Sequence, residues 1–448
     1  MAEFFSNPSS LVPADASQSI DKRLIEMFVK PESSVGVHST FTHIIEPIRP
    51  PGSKDQEYIF DLSDLGNSYI DLKKINLYVC GRLKHADGTF LTQELDKDGR
   101  LKDYEFVILA NNPLYSLFES VTIYVGCNQE EIYAANYPYK AYMRQMMRTS
   151  EVSASTFDNQ GFSFEWSSPN LSDFQMNMGR LEETSVSKKI EYLGPTFIDF
   201  FQTEGYLLPN TKLRVKYRRS EEPFYVLTDA TTKDKVYHFE IDKIALHVPC
   251  LNVLPALQPL LQMQTELTPA KYTYESLDMR HWPLAEGTIT RAYRKVFEGR
   301  LPQKFLIGIF TQHQFSGSRE TSPYSTPDTK LRRIEIKING IIVRELEMDS
   351  ENKLFMEAYR QFVDWTGGTG IYNISYMGYS TGSRYLAFDL KENCSECQEE
   401  MLQQGYIDIH LQFAEALKND YVMCIYNISP DTVEISHKKA ARHFKAIV

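Results

Sequence analysis

Apolar and polar residues alternate along most of this chain, with the period of two that places every second side chain on one face of a strand. In "YIDLKKINLYVCGRL" (69–83), Ile75, Leu77 and Val79 share a face. Val121, Ile123 and Val125 repeat the pattern, as do Leu213, Val215 and Tyr217. "YIFDL" (58–62), "KIEYLGPTFIDFF" (189–201), "HFEIDKIALHV" (238–248) and "KFLIGIF" (304–310) are further predicted strands, followed by "YLAFDL", "GYIDIHLQF", "YVMCIY" and "TVEIS". Turn chemistry separates them. Asp87-Gly88 is a hairpin signal, Gly126 sits where a turn must follow a strand, and Asn339-Gly340 requires a two-residue hairpin. Two stretches switch to helical spacing. In "YPYKAYMRQMMR" (137–148), Tyr139, Tyr142, Met143 and Met146 share one face, and "LFMEAYRQF" (354–362) is its counterpart.

The second half of the chain repeats the first. Val121, Ile123 and Val125 correspond to Ile334, Ile336 and Ile338. Ala141-Tyr142 corresponds to Ala358-Tyr359, and Arg144-Gln145 to Arg360-Gln361. Gly205-Tyr206 matches Gly405-Tyr406, and "HFEIDKIALHV" resembles "YIDLKKINLYV". Ordered matches at similar spacing imply two copies of one β fold, each near 200 residues. Many short strands with long interposed loops point to a jelly roll rather than a meander. The expected organisation is an N-terminal arm over 1–35, jelly rolls over 36–235 and 236–436, and a basic tail over 437–448.

Length agrees: 448 residues suit two large all-β units. Aromatics form 12% of the chain, and much of this Tyr and Phe lies in the alternating runs. The net charge of −11 argues against tight direct binding to nucleic acid, which needs phosphate neutralisation by Lys and Arg. "SHKKAARHFKAIV" (436–448) is the one basic stretch, read as a tail pinned to a neighbouring surface by Phe444, Ile447 and Val448. Neither a signal peptide nor a membrane span is visible. The six cysteines are therefore expected as reduced thiols.

No catalytic constellation emerges. Gly378-Tyr379-Ser380-Thr381-Gly382 matches G-x-S-x-G, but a nucleophile elbow needs a helix after the serine, and "RYLAFDL" reads as strand. Ser380 is expected in a loop or at a strand edge. Cys394 and Cys397 are half of a zinc site without a second ligand pair. The ten histidines contain no H-x-H or H-E-x-x-H pair. Neither a cofactor nor a metal is expected.

Residues 149–190 are too long for an ordinary connection. They carry Phe157, Phe162, Phe164, Trp166 and Phe174 in an otherwise polar stretch. No regular strand is available to bury these rings, so they are candidates for contacts between subunits or for capping a barrel end.

The segments "YIDLKKINLYVCGRLKHADGTF", "NNPLYSLFESVTIYVG", "NYPYKAYMRQMM", "EGYLLPNTKLRVKYRR" and "PLAEGTITRAYRKVFEGRLPQKFLIGIFTQHQFSGS" resemble the major capsid protein of Polinton (Maverick) elements and the related adintoviruses. "IEIKINGIIV", "AYRQF", "YLAFDL" and "GYIDIHLQFAEAL" continue the likeness, which spans about residues 20–436. The resemblance implies a double jelly roll. It further implies a homotrimeric, pseudo-hexameric capsomer, a virion shell enclosing double-stranded DNA, and a penton or minor capsid protein as partner. The competing reading is a glycan- or receptor-binding jelly-roll protein without catalytic activity.

Overall fold

The computed structural model describes residues 36–52, 55–95, 101–147, 159–162, 180–181, 183–229, 235–302, 304–366, 374–390 and 404–445. The expected N-terminal arm, Cys394, Cys397, Ile447 and Val448 lie outside them.

Eight strands build the first roll: β1 (Val37–Ile45), β2 (Glu57–Asp61), β3 (Asn76–His85), β4 (Phe118–Val125), β5 (Glu130–Ala134), β6 (Ile190–Pro195), β7 (Leu213–Arg219) and β8 (Tyr237–Val253). One antiparallel sheet runs β1-β8-β3-β6 and the other β2-β7-β4-β5. Eight more build the second roll: β9 (Ala270–Leu284), β10 (Thr290–Arg300), β11 (Lys304–Thr311), β12 (Leu331–Ile338), β13 (Ile341–Glu347), β14 (Leu386–Asp389), β15 (Gln404–Phe413) and β16 (Tyr421–Ile435). Their sheets run β9-β16-β11-β14 and β10-β15-β12-β13. Adding eight to each strand number of the first roll gives the second roll. This double-sheet strand order is that of a jelly roll, present twice.

The alternation read from sequence sets the layers. Leu77, Val79 and Leu83 of β3 turn inward while Tyr78, Cys80 and Arg82 lie at intermediate exposure. Val121, Ile123 and Val125 of β4 face Leu213, Val215 and Tyr217 of β7 across the ladder. Both predicted helices form: α1 (Tyr137–Met147) and α3 (Met356–Trp365), each between the fifth and sixth strands of its roll. A third, α2 (Gln258–Leu267), links the rolls, and a fourth, α4 (Tyr376–Gly382), precedes β14.

The structure corrects three expectations. The boundary at 235/236 puts β8 at the head of the second roll, yet β8 pairs with β3 from Tyr237 opposite His85 to His247 opposite Asn76. The likeness between "HFEIDKIALHV" and "YIDLKKINLYV" is therefore that of two neighbours facing one core; the repeat partner of β8 is β16. Second, the described part of the tail is held by a backbone ladder and not by Phe444, which is 49% exposed: the strand Ala441–Phe444 adds to β16 beside Thr432–Ile435. Third, Ser380 sits in a helix and not in a loop or strand edge, and its Oγ donates to the Met377 carbonyl at 2.9 Å. A helix before β14 is the reverse of a strand–serine–helix elbow.

Candidate functional site: the seam between the two rolls

The helix α1 carries Tyr and Met on more than one stripe, and ten of its eleven residues are buried. A helix buried on nearly all sides, Lys140, Arg144 and Gln145 included, must be covered from two directions. Tyr137 and Ala141, one turn apart, belong to the core of the first roll. Tyr139, Tyr142, Met143 and Met146 belong to the core of the second. Tyr142 stacks on Tyr324 with centroids 4.4 Å apart and planes 4° apart. Tyr139 meets Phe310, Phe315 and Tyr324 at 5.6, 5.5 and 5.8 Å. Phe162 is 4% exposed and packs on Tyr142 at 5.7 Å within the same chain. The other four candidate rings, Phe157, Phe164, Trp166 and Phe174, lie outside the described residues.

Polar groups fix the angle of the contact. Arg144 is buried; its Nη2 donates to Asp199 Oδ1 at 2.9 Å and also to the Glu275 carbonyl of β9. Asp199 opens the short turn Asp199–Gln202, whose Phe200 packs edge-on against Tyr272 and Tyr274 of β9 at 6.1 and 5.8 Å. One guanidinium thus ties α1, this turn and the second roll together.

A clasp closes the seam. The hairpin after β4 turns at Gly126, whose φ of +78° suits glycine. A Cβ there would stand 2.7 Å from the Lys439 carbonyl oxygen. Cys127 N donates to that oxygen at 2.7 Å. Asn128 then pairs with the Ala441 backbone twice: Nδ2 donates to the carbonyl at 2.7 Å, and the amide donates to Oδ1 at 2.8 Å. The segment after β16 therefore grips the first roll.

A cavity of about 540 Å³ runs along the seam. Lys140, Arg280 and Lys445 alternate with Glu131, Asp199, Asp278 and Asp431 on its walls, so charges of both signs are mixed along it. His443 Nε2 lies 2.9 Å from the Tyr274 hydroxyl and 3.5 Å from Asp431. Burial, with Asp431 nearby, pushes the Tyr274 phenol well above its ordinary range. No set of three or more His, Cys, Asp or Glu side chains is placed to hold a metal among the described residues. Cys80, Cys127, Cys250 and Cys424 are free thiols. Burial pushes Cys250 up to about 11, leaving it protonated and inert at neutral pH. No helix among the described residues is long and apolar enough to cross a membrane.

No family model matches the sequence. An uncharacterized protein of Caenorhabditis elegans is 20% identical over 379 residues, covering 82% of this chain and 88% of that protein. Among solved structures, the cryo-EM structure of the Sputnik virophage superposes with a TM-score of 0.61 at 11% identity, covering 99% of this chain and 95% of that one. The mavirus major capsid protein gives 0.55 at 11% identity over 98% and 95% of the two chains. A chain of the PBCV-1 virus capsid gives 0.52 at 11% identity over 94% and 100%. The fold is the double jelly roll of these capsid proteins. At such identities the match speaks for architecture, and residue roles rest on the geometry above.

The helical face of Tyr139, Tyr142, Met143 and Met146 was legible in the sequence, but its partner was not. Lys140 and Arg144, four residues apart, read from sequence as a solvent side, so the burial of α1 on both sides had no local signal. Arg144 carried no local sign of burial, because its partners are 55 and 131 residues away.

Proposed function

We propose that this chain is a major capsid protein: a non-enzymatic building block that trimerises into a pseudo-hexameric capsomer. Such capsomers tile an icosahedral shell around the double-stranded DNA of a Polinton/Maverick-type element, with a penton or minor capsid protein at other positions. Its place is the virion capsid, the chain being synthesised in the host cytoplasm or assembled in the nucleus. The observation that carries this reading is the duplicated jelly roll, locked side by side through α1, along nearly the whole chain. A rigid block of two wall-like units, repeated about a threefold axis, gives six walls and a near-hexagonal outline. A cyclic trimer satisfies every subunit with one heterologous contact made three times. Phe157, Phe164, Trp166 and Phe174 are proposed to add apolar surface to that contact, since obligate interfaces are apolar at their centres.

Native mass measurement of the full chain at micromolar concentration is the test. A trimer, with hexagonal blocks or shells in negative stain, is the expected result. A folded monomer under the same conditions overturns the assignment.

A further inference from the structure

The seam uses one set of elements from each roll. The first roll contributes α1 and the hairpin at Gly126. The second contributes β9 and the segment 436–445 that follows β16. Because the rolls share one strand order, each set exists twice in the chain, and one copy of each is unused.

On the second roll the unused set is α3 and the hairpin at Asn339-Gly340. Aligned on Ala141 and Ala358, the places of Tyr139, Tyr142, Met143 and Met146 are taken by Met356, Tyr359, Arg360 and Val363. This alignment follows the buried faces, since Ala358, Phe362 and Trp365 are the buried residues of α3. None of the four is buried; Tyr359 is partly covered by Tyr376 and Tyr379 of α4 at 5.5 and 5.3 Å, which leaves Met356, 61% exposed, and Arg360 as the open part of the face. At the hairpin, Ile341 and Ile342 are 71% and 47% exposed, whereas the matching hairpin at Gly126 lies under the clasp.

On the first roll the unused set is β1 and α2. No residue of β1 is buried, although its counterpart β9 buries Tyr272, Tyr274 and Leu277. Phe41 and Ile44 are its exposed apolar side chains. The helix α2 follows β8 as the clasp follows β16. It too has no buried residue. Leu260, Met263 and Leu267 fall on one face at i, i+3 and i+7, each at least 60% exposed, and Glu266 is the only charge on the helix. Exposed apolar stripes of this kind mark interaction surfaces.

We propose that these two surfaces meet between copies of this chain. The second roll of one copy seats α3 on β1 of the next, and its Ile341–Ile342 hairpin lies against α2. The contact between chains repeats the contact within the chain, element for element. It rests on the capsomer reading and identifies the faces that close the ring. Within the chain the clasp works by backbone hydrogen bonds to Asn128; between chains α2 works by apolar packing, because it presents side chains in place of a strand. The partner is a second copy because every element required is present in the chain and only its own counterpart is missing.

The test is a charge swap on the full chain. Met263→Lys and Ile341→Glu are made singly and together, with Ile59→Lys on β2 as control, and native mass is read at micromolar concentration beside a thermal melt. Each single variant is expected to cut the trimer population at least about tenfold, since an unpaired charge is buried on association. The double variant is expected to recover trimers in low salt, and the control to assemble normally. Wild-type trimers with unaffected single variants overturn the placement and leave the capsomer reading standing. A monomeric wild type overturns both. Should a melt show a variant unfolded, Met263→Cys and Ile341→Cys on separate chains are mixed and treated with a short bismaleimide. A covalent dimer absent from wild type then supports the contact, and intact trimers without it overturn it.

Discussion

Tyr142 and Tyr324 lie face to face across the two rolls, 4.4 Å between ring centroids and 4° from parallel. One is on the helix of the first roll and the other in the loop after β11 of the second. Both are buried, so removing either ring opens a hole that cannot collapse without separating the rolls. Tyr142→Ala is expected to destabilise the chain by about 3–5 kcal/mol in denaturant unfolding. A double-mutant cycle with Tyr324→Leu and Tyr142→Leu should return about 0.5–1.5 kcal/mol of coupling. Additive single effects would show that the stack adds nothing beyond burial.

Arg144 and Asp199 carry opposite charges beside the seam cavity, 2.9 Å apart and with side chains only 9% and 11% exposed. Removing one leaves the other buried and unpaired. Arg144→Met is expected to cost about 3–5 kcal/mol, and Arg144→Met with Asp199→Asn distinctly less. The comparison is made by urea midpoints at neutral pH. A double variant as unstable as the single one would mean that the bond to the Glu275 carbonyl, and not the charge pair, holds the turn.

Gly126 needs both its positive φ and its missing side chain. A methyl group would meet the Lys439 carbonyl at 2.7 Å, a backbone atom that cannot swing aside. Gly126→Ala is expected to cost about 1–3 kcal/mol and to loosen the C-terminal clasp before the rolls unfold. Limited proteolysis should then cut near residues 436–445 in the variant under conditions that spare wild type. Equal resistance would place the clasp's strength in the β16 ladder.

How much of this was legible depended on whether the cause was local. The alternation in β3, β4 and β7 is set by one residue facing the core and the next facing away, so strand type was readable from a few neighbours. The duplication was readable because Ala141-Tyr142 and Ala358-Tyr359 recur in the same order beside similar hairpins. Sheet membership was not. Strand β8 has the same period whichever roll it joins, and its ladder to β3 is fixed by residues more than 150 positions away. The clasp was hidden for a related reason. Lys438 and Lys439 look like solvated tail charges, while the segment's hold comes from backbone groups of Lys439 and Ala441, which every residue type carries. The unequal burial of α1 and α3 was also beyond the sequence, since it depends on which roll has a neighbour within the chain.

Asp328 links acid sensitivity to the position of α3. Burial opposes its ionisation, but hydrogen bonds from Lys330 and the Arg384 guanidinium prevail and hold the carboxyl at about 2, below the ordinary 3.8. Arg384 Nη1 donates to Asp328 Oδ1 at 2.8 Å, and the same guanidinium lies 5.0 Å over the ring of Phe355, the residue before α3. A depressed carboxyl stabilises the fold above its unfolded value and loses that contribution as pH falls through its folded value. The window for Asp328 therefore runs from 3.8 down to about 2. Because the site is half open to water, the stabilisation at neutral pH is set at about 1 kcal/mol. Asp328→Asn is expected to be less stable than wild type by that amount at neutral pH, with the gap closing as the carboxyl protonates. Urea unfolding at several pH values down to about 2 reads the gap directly. A gap that persists at the lowest pH would mean that the asparagine disturbs packing around Phe355 rather than removing a charge.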